Sequence, residues 1–171
     1  MPSCKSRMGR RILLPLCLVF LAALLAACSG TPAPADKVFA VEDLRITLTD
    51  AFTEVYREGY AMCYAADRAN VVTLKEEFSL AEGLEEMTTE EYARELIVGT
   101  GRDPDATPVL RDGERIHYDY KETVGDETYF YMTYLYKTDE AFWVVQFAAA
   151  LQDEEEYRPL FARWASGVSF A

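Results

Sequence analysis

Cysteine and histidine are the side chains best suited to lead a reaction, and this chain has four of the first and one of the second. A lone His117 excludes a multi-histidine metal site and any mechanism that passes protons between two histidines. It alternates with Tyr118 and Tyr120 in an extended stretch, which reads as a surface or boundary position. Cys63 lies in YAMCYAA, among aromatic and apolar neighbours, and reads as a small buried hydrophobe. The other reading is a reactive thiol or a partner in an intermolecular disulfide. A Cys63–His117 dyad would need the fold to bring the two side chains within hydrogen-bond reach. Ser29, Ser79, Ser166 and Ser169 lie outside any nucleophile-elbow context. There is no phosphate-cradling glycine loop and no C-x-x-C pair.

Carboxylates are plentiful, so inventory alone leaves a paired-acid hydrolase open. Glu82, Glu85, Glu86, Glu90 and Glu91 crowd one loop and the start of an expected helix, where acids favour the helix dipole. Asp103, Asp105 and Asp112 could gather calcium, but their spacing lacks an EF-hand loop and a solvated loop explains them. No metal and no cofactor is expected. The 11 tyrosines, many of them in the C-terminal half, could form an aromatic platform for a glycan or peptide. They could equally fill a core beneath a covering helix.

Cys28 is a separate case. Lys5, Arg7, Arg10 and Arg11 form a positive leader without acids, followed by an apolar run over residues 12–27 interrupted by Pro15. The run ends in Leu25, Ala26, Ala27 and Cys28, and this LAAC tetrapeptide resembles the lipobox of bacterial lipoproteins. The resemblance implies a diacylglycerol on Cys28 and signal cleavage between Ala27 and Cys28. An ordinary secretory signal would need only small residues at the cut. A permanent membrane helix would want roughly 20 apolar residues, more than this run offers. Arg10–Arg11 resemble a twin-arginine pair with poorly fitting flanks. The organisation that follows is a signal peptide over residues 1–27, a lipidated tether over 28–37, small and proline-rich (SGTPAPADK after the cysteine), and one domain over 38–171. The location implied is the extracytoplasmic face of the membrane, held by a lipid anchor.

Cleavage would remove four basic residues and no acids, leaving 13 Lys+Arg against 29 Asp+Glu and a formal charge of −16. Such a surface is repelled by phosphate backbones and by anionic headgroups, so nucleic acid is not an expected partner. Cys4 and Cys17 would leave with the signal, so Cys63 has no partner for an internal disulfide. The remaining 144 residues suffice for a core without staples.

The elements that must position these side chains follow from pattern. Residues 43–48 (DLRITL) alternate as a first strand. Residues 52–60 fit either a helix or a loop, with a bend through Arg57 preferred, and strands follow at 60–66 and 70–78. Thr88 and Glu91 form a T-x-x-E capping box, Met87 can pack on Tyr92, and Gly99 or Gly101 ends that helix. A four-strand antiparallel meander runs from 109 to 151, with a hairpin signal at Asp112–Gly113 and a turn at Gly125–Asp126. Its last strand, 141–151, is apolar on both faces and so central. Tyr157, Leu160, Phe161, Trp164 and Val168 recur at helical spacing, with Pro159 expected to delay the helix until Arg158.

Taken in order, ITLTDAF, LKEEF, the TTEEYARELI helix, AFWVVQF and a closing Y-x-x-x-F-x-x-W helix resemble small Gram-positive lipoproteins of PsbP-like fold. The resemblance spans residues 39–170 and rests on core and turn positions. It implies an α+β class, a twisted antiparallel sheet sandwiched between helices. A cone-shaped fold like that of nuclear-transport-factor relatives is the alternative. The resemblance carries no catalytic residues, and its plant namesake has a binding and stabilising role. The functional expectation is a non-catalytic binding or scaffold lipoprotein engaging an envelope protein or small ligand. A small envelope hydrolase and a ligand-binding accessory lipoprotein stand as alternatives.

Overall fold

The computed structural model describes residues 34–171, so Ala27, Cys28 and most of the expected tether lie outside the described residues. A seven-stranded antiparallel sheet organises the domain. It is built from β3 (Thr53–Val55), β4 (Met62–Ala65), β5 (Ala69–Glu77), β6 (Leu110–Asp112), β7 (Arg115–Val124), β8 (Glu127–Lys137) and β9 (Ala141–Ala150), in the order β3-β4-β5-β9-β8-β7-β6. A second sheet joins β1 (Asp36–Val41), β2 (Leu44–Thr49) and β10 (Ser169–Phe170), with β2 in the middle. Helix α1 is Thr89–Gly99 and helix α2 is Glu154–Ser166.

Each face of the large sheet carries a helix, which makes the expected antiparallel sheet between helices the architecture of this domain. Alternation along β9 sends Trp143, Val145 and Phe147 to one face and Phe142 and Val144 to the other. The first face packs against Phe161 and Trp164 of α2 and against Phe39, Leu44, Ile46 and Leu48 of the small sheet. The second packs against Tyr92, Ala93 and Ile97 of α1. With β9 fourth of seven, its near-continuous apolar run is the composition that two buried faces require.

Helix α1 begins and ends as its sequence dictates. Thr88 Oγ1 accepts from Glu91 N–H at 3.2 Å, and the Glu91 carboxylate accepts from Thr88 N–H at 2.8 Å. At the other end Arg102 N–H reaches Ile97 O and Gly101 N–H reaches Val98 O, a Schellman closure with Gly101 at φ +76°. Thr88→Ala is expected to cost about 1 kcal/mol in denaturant titration, and Thr88→Ser to retain most of it.

Three expectations are corrected, and one open choice is resolved. Asp36 and Lys37 are not tether: they pair with Thr49 and Leu48, so a strand precedes residue 43. Residues 52–60 form no helix, in keeping with the preferred loop or bend, apart from one short strand. Val55 pairs with Cys63 in the short β3, and the chain then turns through Gly59 at φ +87°. Pro159 lies inside α2, which runs unbroken from Glu154 after a 3-10 turn at Leu151–Asp153. It is the sixth of the helix's 13 residues and removes the amide that would donate to Glu155 O, a loss offset by burial of Phe161, Trp164 and Ala165 just beyond it. His117 is buried, because the N-terminal end of α2 covers the face of β7 that was expected to meet solvent.

Candidate functional site

Helix α1 has 11 residues, about 16 Å of axis at 1.5 Å per residue. The strands beneath it have 10 or 11 residues, roughly 35 Å at about 3.3 Å each. The helix therefore covers half of its face, over Ile116, Tyr118, Leu135, Phe142 and Val144. Strand register places the uncovered half. Beyond Tyr118 and Thr133, which are buried, one row across the sheet continues through Gln146, Val72, Cys63 and Val55, and the next reads Tyr120, Tyr131, Ala148, Asn70 and Ala65. These rows floor an open groove of about 500 Å³, with Tyr60 and Tyr129 at its margins.

The groove is held in shape by its own contacts. The Tyr120 and Tyr131 rings stack at 4.6 Å between centroids and 9° between planes. The Arg102 guanidinium covers Tyr120 at 3.6 Å and ion-pairs with Glu122 at 2.9 Å. Gln146 Nε2 donates to the Tyr120 hydroxyl and to Thr133 Oγ1, each at 3.0 Å, which leaves its carbonyl oxygen available as an acceptor. Burial pushes the Tyr120 and Tyr131 phenols upward, so both are neutral hydrogen-bonding groups near pH 7. Burial likewise raises the Cys63 thiol, with Arg57 pulling weakly the other way, so Cys63 is a packed thiol and not a primed thiolate. The tyrosines expected either as platform or as core divide between the two roles: Tyr118 lies beneath α1, while Tyr120, Tyr129 and Tyr131 line the open groove. The common face of Tyr118 and Tyr120 was legible from the alternation in 115–123; the length of uncovered sheet was not.

The structure separates the residues of the candidate dyad. Cys63 is on β4 and faces the α1 side, whereas His117 is on β7 and faces α2, with β5, β9 and β8 between them. Four strand spacings alone amount to roughly 19 Å. His117 Nδ1 instead meets Asp119 Oδ1 at 2.9 Å and its ring stacks on Tyr134 at 4.8 Å. Asp119 also binds Arg158, which reaches Glu154 at 2.6 Å, while Lys121 reaches the same glutamate at 2.7 Å. This network fastens the start of α2 to β7.

Burial alone would raise the Asp119 carboxyl, but the hydrogen bonds from His117 and Arg158 outweigh it and hold the group below its ordinary 3.8. A carboxylate depressed in the folded state contributes stability that is complete above its unfolded pKa and is lost as pH falls through the folded value. Asp119→Asn is therefore expected to cost about 2 kcal/mol at neutral pH and progressively less below pH ~4. Urea titrations of both proteins at several pH values measure the convergence.

The acids singled out in the sequence do not gather in one place; four other carboxylates, Glu42, Asp43, Asp139 and Glu140, share a cavity, beside Lys75 and Lys137. Asp103 Oδ1 accepts from Asp105 N–H within its own loop, and Asp112 is bound to Arg115 at 2.7 Å. Glu90 pairs with Arg111 and Glu91 caps α1. Among the described residues no three His, Cys, Asp or Glu side chains are grouped as for a metal ion. Among them, too, no helix is long and apolar enough to cross a membrane.

Comparison with known families finds no match to this sequence, and no curated protein matches it. Solved structures are similar in fold. A Bacteroides thetaiotaomicron protein has a TM-score of 0.55 at 9% identity over 79% of this chain and 48% of its own, so this chain spans about half its length. The Ran-binding protein Mog1p of Saccharomyces cerevisiae has a TM-score of 0.50 at 10% identity, covering 81% of this chain and 96% of its own. Cyanobacterial PsbP (CyanoP) from Synechocystis has a TM-score of 0.46 at 11% identity, covering 86% and 99%. At such identities a likeness is one of fold, and function must come from the site.

Proposed function

We propose that this chain is an exported, membrane-anchored lipoprotein whose domain holds an envelope component on the uncovered half of its sheet, without catalysis. The observation that carries the binding role is the groove: a preformed aromatic and hydrogen-bonding surface that α1 is too short to cover. A hydrolase acting on glycosidic bonds would need two carboxylates about 5–10 Å apart facing one cavity. Glu122 is the one carboxylate among the groove's lining residues, and Arg102 holds it. A binding role also fits Mog1p, a Ran-binding protein of like fold. The positive leader and LAAC support lipidation at Cys28 after cleavage following Ala27, which puts the domain on the extracytoplasmic face. The acidic surface disfavours nucleic acid as a partner.

The test is site-directed photocrosslinking in cells, with the reactive amino acid at Tyr60 or Tyr131 and a control at Arg163 on α2. Adducts to an envelope protein or polymer from the two groove positions, absent from the control, are expected. Equal labelling from all three positions, or none from the groove, would overturn the binding assignment.

A further inference from the structure

We infer that the occupant of this groove is a short, uncharged saccharide chain; the inference rests on the binding role just proposed and names its ligand class. Charge gives the first reason. The chain carries a formal −12, yet the groove's lining holds just two charged side chains, Arg57 and Glu122, of opposite sign. A cationic peptide would find stronger fields elsewhere on this surface, and an anionic one would be repelled on approach. A neutral ligand meets neither problem.

Chemistry gives the second reason. A pyranose ring offers a flat face of C–H groups and a rim of hydroxyls. The groove offers the matching pair: for the face, the side of the Tyr131 ring turned away from Tyr120, and for the rim, phenol, amide and carbonyl groups. The stack of Arg102, Tyr120 and Tyr131 fixes the aromatic surface before any ligand arrives. Gln146 has both amide hydrogens engaged and its carbonyl oxygen unspent, and Asn70 brings a further exposed amide from β5. Ala148 separates Tyr131 from Asn70 in their row, and its small side chain makes the depression between them. A volume of about 500 Å³ falls in the range of small-ligand sites and suits two or three sugar rings. The open form agrees with a polymer that passes through the groove, held by a few rings at a time.

The probe is N,N′,N″-triacetylchitotriose, titrated calorimetrically into the full chain in detergent, with cellotriose as a second neutral saccharide. Binding of at least one with a dissociation constant of about 1 mM or tighter is expected. Tyr131→Ala should weaken it about tenfold or more, while Tyr131→Phe, which keeps the ring, should stay within about threefold. Tyr60→Ala, at a position 44% exposed and outside the core, gives a second loss of affinity should the Tyr131 variant fail to fold. No binding of either saccharide, or binding untouched by both alanine variants, overturns the inference. The photocrosslinking experiment separates the two failures. Saccharides that do not bind beside a groove adduct to a protein would sink the ligand class and leave the binding role standing. Silence in both would sink both.

Discussion

Phe161→Ala is expected to remove about 4 kcal/mol of folding stability, a large part of the roughly 5–15 kcal/mol that holds a domain of this size. The side chain is fully buried in α2. Its ring stacks at 5.2 Å on both Phe130 and Phe147 and lies 5.6 and 5.7 Å from Tyr157 and Trp164. It thus joins the helix to the two central strands β8 and β9, and Trp164 carries the contact on to Phe52 at 5.3 Å. Deleting the ring removes both its transfer free energy and the contacts of the rings around it, which the sheet cannot close up to replace. Phe161→Leu should lose less than half as much. Urea titration followed by far-ultraviolet circular dichroism measures both. A loss under about 1 kcal/mol would mean that α2 is peripheral to the cooperative unit. Because Thr88 acts on the opposite face of the sheet, its effect and that of Phe161 should add.

How much of this was legible in the sequence depends on how far each element's signal was local. Leu44, Ile46 and Leu48 alternate with polar residues and are all fully buried, so β2 could be read directly. The capping box of α1 is a contact between residues three apart, and it forms as written. β1 gave no such signal, since Phe39 is its one buried residue and its strand character comes from pairing with β2. β3 is three exposed residues defined by their partner β4. His117 was misplaced for a related reason: alternation tells which residues share a face, not what lies over that face. The groove has the same origin. Alternation along residues 115–123 put Tyr118 and Tyr120 together, but Tyr118 is buried under α1 while Tyr120, at the margin of that cluster, also lines the groove. That division depends on a helix of 11 residues crossing strands about twice its length, a tertiary fact with no local mark.

Cys28→Ala is expected to abolish incorporation of labelled palmitate and to release the processed domain from the membrane fraction. Each buried methylene of an acyl chain contributes about 0.8 kcal/mol, and one chain alone holds a protein only marginally, with a partition constant near ~10⁴ M⁻¹. The diacylglycerol proposed for Cys28 would bring two chains, so loss of the modification would remove the whole of that anchorage. Little else would replace it once the leader is cut. Among the described residues no helix can span a bilayer, and a formal charge of −16 after cleavage is repelled by anionic headgroups. Cys63→Ala is the control: its thiol is buried in the sheet, so labelling should persist. Fractionation distinguishes the possibilities at Cys28. A Cys28→Ala protein found soluble and shortened would mean that an ordinary signal peptidase has cut the leader. One that is unlabelled, full-length and still membrane-bound would mean that the uncut leader is serving as the anchor. Membrane attachment of a shortened, unlabelled protein would place the anchor in the domain itself and end the lipoprotein assignment.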